Sequence, residues 1–270
     1  MIVDFHSHTL KSDGTASPAE LRELMVQKGV EYFAVTDHDT LAAYDELGEH
    51  RSGPRLIVGI EINTNYQGDD VHILGYGLTT GVSPLNDALA RRRQARSDRL
   101  EAMIGKLRAA GIPITLDEVR SFSAGVSALG RPHLARLLVA RGYADSVNEA
   151  FNRFLRRGSP AYIEAAALSP FEAIHLIRES GGIPVLAHPG RLKDPALVDT
   201  IARAGILGIE VFYGTHTAEQ TECFRRAAEY YHLSMSAGAD YHDAGWTPRG
   251  VGMEVRERDI LPFLKLIGVA

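Results

Sequence analysis

Apolar and polar positions follow two rhythms along the chain, and the rhythms switch repeatedly. Apolar runs of strand length occur at Ile2 to Phe5, Tyr32 to Thr36, Leu56 to Ile60, Val71 to Tyr76, Ile183 to Ala187, Gly208 to Tyr213 and Leu233 to Ala237. Between them apolar residues recur at helical spacing. Ser17-Pro18-Ala19-Glu20 supplies an N-cap, a proline in the first turn and a capping-box acid, and the helix it opens runs through Leu21, Leu24 and Met25 to Gly29. Ser169-Pro170-Phe171-Glu172 repeats that signal before a helix that stops near Gly181-Gly182. Further helices are expected over Ala42 to His50 and Asp259 to Ile267. From about Pro84 to Tyr162 the strand rhythm is missing, and Ala88 to Ala110, Arg131 to Arg141 and Val147 to Leu155 show helical spacing instead.

Roughly seven strands alternating with helices predict an α/β fold with a mostly parallel sheet, because parallel neighbours need crossover connections. Ligand-type residues follow at least five of these strands: His6, Asp37, Glu61, His188 and Asp240. A barrel brings all strand ends to one mouth, whereas an open sheet spreads them along a crevice, so a closed or distorted barrel is the expected architecture. Residues 1–80 and 160–270 are read as this barrel. Residues 81–159 are read as a helical insertion contributing to the substrate site.

Composition sharpens this. With 270 residues, 45% hydrophobic and 23% charged, the chain has ordinary globular proportions and is long enough for a sizeable core, which excludes fibrous and low-complexity classes. No apolar run reaches bilayer length and the first residues lack a basic-then-apolar leader, so a cytoplasmic protein without a membrane role is expected. Cys223 is the single cysteine, so any metal must be held by nitrogen and oxygen. Charge is uneven: thirteen arginines and Lys106 against six acids give Arg91 to Gly158 a net charge of +8, leaving −13 for the rest of a chain whose total is −5. The basic middle suits phosphate contacts and the acidic flanks suit cations. Arg92, Arg96 and Arg99 share one side of a predicted helix, a spacing that either follows a polyanion or solvates the face, and solvation is the expected reading.

The sharpest local signal is Asp4-Phe5-His6-Ser7-His8, since residues two apart in extended chain point to the same side and both imidazoles can meet one cation. Asp13, Asp37-His38-Asp39, Glu61, His72, His188-Pro189 and Asp240-Tyr241-His242 also lie in or just beyond predicted strands, and all offer nitrogen or oxygen donors. Gathered at one mouth without cations, so many imidazoles and carboxylates would be poorly compensated. His50, His175, His216 and His232 fall on helices or their ends and are read as structural.

His6-Ser7-His8, Asp13-Gly14, Thr36-Asp37-His38-Asp39, Gly59-Ile60-Glu61, His72, Ala187-His188-Pro189 and Gly238-Ala239-Asp240-Tyr241-His242 together resemble the polymerase and histidinol phosphatase (PHP) family, over nearly the whole chain. The resemblance implies a distorted (β/α)7 barrel and two or three divalent ions, with Mn expected and Fe or Zn suiting the same donors. It implies one ion on His6, His8, Glu61 and Asp240, a second on Glu61, His72 and His188, and a third on Asp13, His38 and His242. Ala239 departs from the Ser of many relatives, which removes a hydroxyl but no ligand. Gly130-Arg131-Pro132-His133 and Arg191 resemble the branch containing nucleoside 3',5'-bisphosphate phosphatases and related 5'-to-3' exoribonucleases.

On that resemblance, Arg131 and Arg191 would contact phosphate, His133 would approach the metals, and Lys11 and Ser12 could add donors, a turn role being equally open for Ser12. The expected reaction is hydrolysis of a phosphate ester by a metal-bridged hydroxide, with His133 or Asp39 as alternative sources of the leaving-group proton. A small phosphorylated nucleotide, most directly a nucleoside 3',5'-bisphosphate losing its 3'-phosphate, and a short 5'-phosphorylated single-stranded RNA are both compatible. No obligate protein partner is implied. Histidinol phosphate hydrolysis and a non-catalytic scaffold are the competing readings. An amino-alcohol phosphate would call for an acid rather than a second phosphate-binding arginine.

Overall fold

In the computed structural model, which describes residues 1–48, 53–80, 84–123, 126, 129–164, 168–247 and 249–269, eight strands share one sheet. They are β1 (Ile2–Asp4), β2 (Tyr32–Val35), β3 (Arg55–Tyr66), β4 (Asp69–Tyr76), β5 (Ile183–Leu186), β6 (Gly208–Tyr213), β7 (Ser234–Gly238) and β8 (Met253–Glu254), ordered β7-β6-β5-β4-β3-β2-β1-β8. Phe5 N donates to Ala237 O and Asp240 N to His6 O, each at 2.8 Å, so β7 returns to β1 and the sheet nearly closes. The fold is therefore α/β with a barrel-like sheet, as the strand-end residues suggested.

Two features of the sheet differ from the expectation of parallel alternation. β4 runs antiparallel to both β3 and β5, and β8 antiparallel to β1. β3 continues to Tyr66, well beyond Ile60, and turns into β4 through Gln67 (φ 52°) and Gly68 (φ 83°). Two consecutive left-handed residues make the tight hairpin that matches strand twist, so no crossover is needed. The polar stretch Asn63-Thr64-Asn65 disguises the strand as a loop. Because β4 is reversed, His72 near its start lies at the same mouth as the ends of the parallel strands.

The helices are α1 (Pro18–Lys28), α2 (Ala43–Leu47), α3 (Pro84–Ala109), α4 (Leu116–Phe122), α5 (Arg131–Ala140), α6 (Val147–Ala150), α7 (Pro170–Glu179), α8 (Leu197–Arg203), α9 (Ala218–Tyr231) and α10 (Glu257–Leu266). The capping signals operate as read: Ser17 Oγ accepts from Glu20 N at 3.2 Å while Glu20 accepts from Ser17 N at 2.7 Å, and Ser169 with Glu172 repeats the arrangement. The helix expected over Ala42 to His50 spans Ala43–Leu47, and His50 lies outside the described residues. α4, unforeseen, carries its own capping box at Thr115 and Glu118. The segment read as one helix to Leu155 changes to a π turn over Phe151–Leu155.

Packing divides into a few cores. Inside the barrel, Val3, Phe5, Tyr76, Val185 and Ala237 meet Phe263 of α10, whose ring lies 5.0 Å from Phe5 and 5.2 Å from Tyr76, plugging the end remote from the histidines. α7, α8 and α9 bury Ile174, Ile177, Ile201 and Phe224 against β3 to β6. The second half of α3 joins α4, α5 and α6 in a separate core around Leu100, Met103, Leu107, Leu134 and Leu138. The first turns of α3 instead place Leu85 and Leu89 in the barrel's outer core. One helix thus belongs to two cores, and its arginine-rich middle is held between them.

Candidate metal centre

The strand ends bring nine imidazole and carboxylate side chains together. His6 and His8 follow β1, His38 follows β2, Glu61 and His72 stand in the β3–β4 hairpin, His188 follows β5, and Asp240 and His242 follow β7; Asp13 arrives from the loop after β1. Their donor atoms fall into three groups that could each hold an ion: His6, His8, Glu61 and Asp240; Glu61, His72 and His188; His8, Asp13, His38 and His242. Glu61 is central. Its Oε2 lies 3.3, 3.1 and 3.1 Å from His6 Nε2, His8 Nε2 and His38 Nδ1, and its Oε1 lies 2.7 Å from His72 Nδ1 and 3.2 Å from His188 Nε2. Asp240 Oδ1 is 3.3 Å from His6 Nε2 and 3.2 Å from His8 Nε2, and Asp13 Oδ1 is 3.3 Å from His242 Nε2.

Hydrogen bonding does not account for this packing. His6 Nε2, His8 Nε2, His38 Nδ1 and Glu61 Oε2 are buried with no hydrogen-bond partner, which is costly unless something else engages them. A set of lone pairs converging from imidazoles and carboxylates is what a divalent cation of intermediate hardness requires, so the residues fit such ions. Burial works against a charged His8, but the Asp240 and Glu61 carboxylates outweigh it and push its pKa up to about 10. Burial instead dominates at His38, pushed down to about 3, and at His188, pushed down to about 4. In the metal-free cluster some imidazoles thus carry protons that stand in for cations while others present free lone pairs.

The surrounding residues fix these side chains. Glu210, fully buried on β6, accepts from His6 Nδ1 at 3.0 Å and from His188 N at 2.7 Å. Gly238 lets β7 approach: a Cβ there would lie 2.2 Å from His6 Cβ and 2.7 Å from Glu210 Oε1. Asp4 accepts from Ala239 N at 3.0 Å and Gly252 N at 2.8 Å, joining β1 to the loop that carries Asp240. Asp39, His188 and Asp240 all have positive φ (55°, 25° and 53°), so strain concentrates at the mouth.

Several expected site residues serve other contacts. Asp37 accepts from Thr9 N at 2.7 Å, Thr9 Oγ1 at 2.6 Å and Ser12 Oγ at 2.5 Å, so it anchors the His8–Asp13 loop from beneath. The Ser12 hydroxyl is thus engaged by Asp37, and Lys11 pairs with Glu46 of α2. Asp39 is fully buried between Arg92 Nε at 3.0 Å and Arg96 Nη2 at 2.8 Å. Arg191 reaches Asp240 Oδ2 at 3.1 Å, which also accepts from Tyr213 OH at 2.8 Å. His133 is buried near Asp13, and its Nδ1 accepts from Gly130 N at 3.0 Å. Of the histidines read as structural, His216 accepts from Gly190 N at 3.2 Å and His175 pairs with Glu179 on the surface.

The arginine face of α3 is not a solvated surface, contrary to expectation. Arg92, Arg96 and Arg99 turn into a cavity of about 120 Å³ that Arg131, Tyr162 and His72 also line. The buried Asp39 carboxylate draws Arg92 and Arg96 inward, and spacing alone could not show that partner. Arg99 donates to Ile163 O at 2.7 Å and Arg131 lies over Phe151, so neither meets a carboxylate partner among the described residues. Burial, then the Arg131 charge, holds the Arg99 pKa below its ordinary value. Asp70 and Glu164 also line the cavity, Glu164 paired with Arg157 at 2.7 Å and within electrostatic reach of Arg99, so four arginines face three carboxylates beside one corner of the metal cluster.

A β/α barrel with clustered imidazoles and carboxylates at its strand-end mouth defines a metal-dependent hydrolase. No family model matches the chain. The chain is 34% identical over 262 residues to a 5'-3' exoribonuclease of Haemophilus influenzae, covering 93% of this chain and 94% of the relative. It is 31% identical over 258 residues to a 3',5'-nucleoside bisphosphate phosphatase of Chromobacterium violaceum, with coverage of 93% and 90%. A solved structure from Bifidobacterium adolescentis described as a metal-dependent phosphoesterase superposes with a TM-score of 0.85 at 30% identity, over 99% of this chain and 96% of that one. The chain belongs to the PHP family of metal-dependent phosphoesterases. Among the described residues no helix is long and apolar enough to cross a membrane.

Proposed function

We propose that the protein removes the 3'-phosphate of nucleoside 3',5'-bisphosphates, holding the scissile phosphate at the metal cluster and the second phosphate in the arginine cavity. The observation that carries this reading is the Arg99–Arg131 pair, which adjoins His72 and has no carboxylate in ion-pair contact among the described residues. A substrate with two phosphates supplies the missing charge. An amino-alcohol monophosphate would bring a cation towards the same arginines, which disfavours histidinol phosphate. The relative named as a 5'-3' exoribonuclease supports short 5'-phosphorylated single-stranded RNA as a second substrate class.

We assign the ions to the three groups above, with His8 close to two of them, and favour Mn, the donor set being equally suited to Fe or Zn. Bound divalent ions supply Lewis acidity towards phosphoryl oxygens and acidify water enough to provide hydroxide near neutral pH. The remaining chemistry belongs to the side chains. With Nδ1 accepting from Gly130 N, neutral His133 carries its proton on Nε2, and burial, which lowers its pKa, keeps it neutral. His133 Nε2–H then steadies the leaving oxygen by a hydrogen bond, and water supplies the net proton. Asp39, held between the Arg92 and Arg96 guanidinium groups, positions the cavity. Arg191 at the mouth, oriented by Tyr213 and Asp240, and Arg131 hold non-bridging phosphate oxygens.

In this reading β1 to β7 form the distorted (β/α)7 barrel, β8 is an added edge, and residues 81–159 are an insertion whose role is to complete the substrate pocket. The protein acts in the cytoplasm without an obligate protein partner. Phosphate release with Mn²⁺ from adenosine 3',5'-bisphosphate, a 5'-phosphorylated oligonucleotide and histidinol phosphate tests the assignment. Adenosine 5'-monophosphate is the expected product of the first, and clear preference for histidinol phosphate would overturn the substrate class.

A further inference from the structure

Trp246 is the single tryptophan of the chain, and it stands 52% exposed on the loop that follows β7. The loop holds it firmly: Asp243 Oδ1 accepts from Trp246 N at 2.7 Å and Gly245 N at 2.8 Å, and Thr247 Oγ1 donates to Asp240 O at 3.1 Å. Arg136 of α5 fastens the loop to the cluster, donating to Asp13 O at 2.7 Å with Asp243 Oδ2 3.6 Å away. The indole lies against His242, with ring centroids 5.5 Å apart and planes inclined by 37°, and much of the residue remains open to solvent. A large aromatic ring held in place beside a reactive centre offers a ligand its π-face.

Its position is complementary to that of the arginine cavity. The cavity adjoins His72, whereas Trp246 adjoins His242, and His38 lies between them at 5.6 and 6.4 Å from the two imidazoles. A phosphate at the cluster thus has cationic groups on one side and a flat aromatic face on the other. We infer that Trp246 is the stacking platform for the substrate's nucleobase, a positioning residue that selects nucleotides over phosphate esters lacking a base. Stacking needs only a π-face, so the platform accepts any base and sets no sequence preference. This rests on the nucleotide reading above, and its test separates the two.

The fluorescence of Trp246 in the Mn²⁺-loaded protein reports contact directly. Titration with adenosine 5'-monophosphate is expected to quench it saturably, whereas ribose 5-phosphate leaves it unquenched. In parallel, Trp246→Ala lowers the ratio of kcat/KM for adenosine 3',5'-bisphosphate over 1-deoxyribose 3,5-bisphosphate, which keeps both phosphates and lacks only the base, about tenfold, mainly through KM, and Trp246→Phe restores most of it. Equal losses on both esters would show a merely structural role and overturn the inference. So would hydrolysis of the bisphosphate by the parent protein with no quenching by adenosine 5'-monophosphate. Quenching without any nucleotide hydrolysis would uphold the platform while refuting the proposed reaction.

Discussion

Replacing Glu210 by glutamine isolates what a buried carboxylate does for the metals without itself being in a ligand group. Glu210 accepts two hydrogen bonds at once, from His6 Nδ1 at 3.0 Å and His188 N at 2.7 Å. The first fixes the His6 tautomer, leaving Nε2 as a lone pair facing Glu61 and Asp240. In Glu210→Gln the amide oxygen can satisfy only one donor. If it takes the rigid His188 N–H, its NH₂ group faces His6 Nδ1, and the imidazole must move its proton to Nε2. The lone pair meant for the ion is then lost. Outer partners of this kind are worth about 10- to 100-fold in metal affinity, or ~1.4–2.7 kcal/mol. Burial raises the Glu210 pKa while, against burial, the Glu210 charge raises that of His6, so the replacement also removes a buried charge pairing from the metal-free cluster. Chelator competition measures the Mn²⁺ affinity, thermal melting in EDTA reports the fold, and saturating Mn²⁺ should recover most of the activity. An affinity within about twofold of the parent, with an intact fold, would refute the role given to Glu210.

Three other outcomes follow from the same structure. Glu61→Ala removes the carboxylate shared by two ion groups, so activity should fall to background even at saturating metal while circular dichroism shows the fold retained; measurable turnover would count against the assignment. Metal uptake at pH 7 should release about one proton or more, because His8 has a pKa of about 10 in the metal-free cluster and must lose its proton to bind. Affinity therefore weakens as pH falls, and calorimetry in buffers of different ionisation enthalpy reads the proton count, zero being the contrary result. Tyr44→Phe should destabilise the fold by about 1–3 kcal/mol in urea, because the buried hydroxyl donates to Val35 O of β2 at 2.5 Å and accepts from Gly59 N of β3 at 2.7 Å; an unchanged midpoint would contradict it.

The sequence makes some of this legible and hides the rest for physical reasons. His6 and His8 could be placed together because alternation in extended chain is a local geometric rule, and the capping boxes at Ser17 and Ser169 are local as well. Strand direction is not local. The apolar rhythm of Val71 to Tyr76 is the same in either sense, and only the Gln67-Gly68 turn reverses β4. Glu210 gave no signal beyond being a carboxylate inside an apolar run, since its partners come from β1 and β5. The arginines of α3 show the limit most clearly. Helical spacing aligns Arg92, Arg96 and Arg99 whether they face water or a cavity, and Asp39, 53 residues before Arg92, decides which. Trp246 was equally silent, because exposure beside a metal cluster is a property of the folded mouth.

Anomalous diffraction at the manganese edge from crystals equilibrated with Mn²⁺ bears most directly on the whole account. Three peaks are predicted, with Glu61 contributing one oxygen to each of two and the third lying among Asp13, His38 and His242. Absence of ions between these side chains, or ions bound with Glu61 left out, would contradict it.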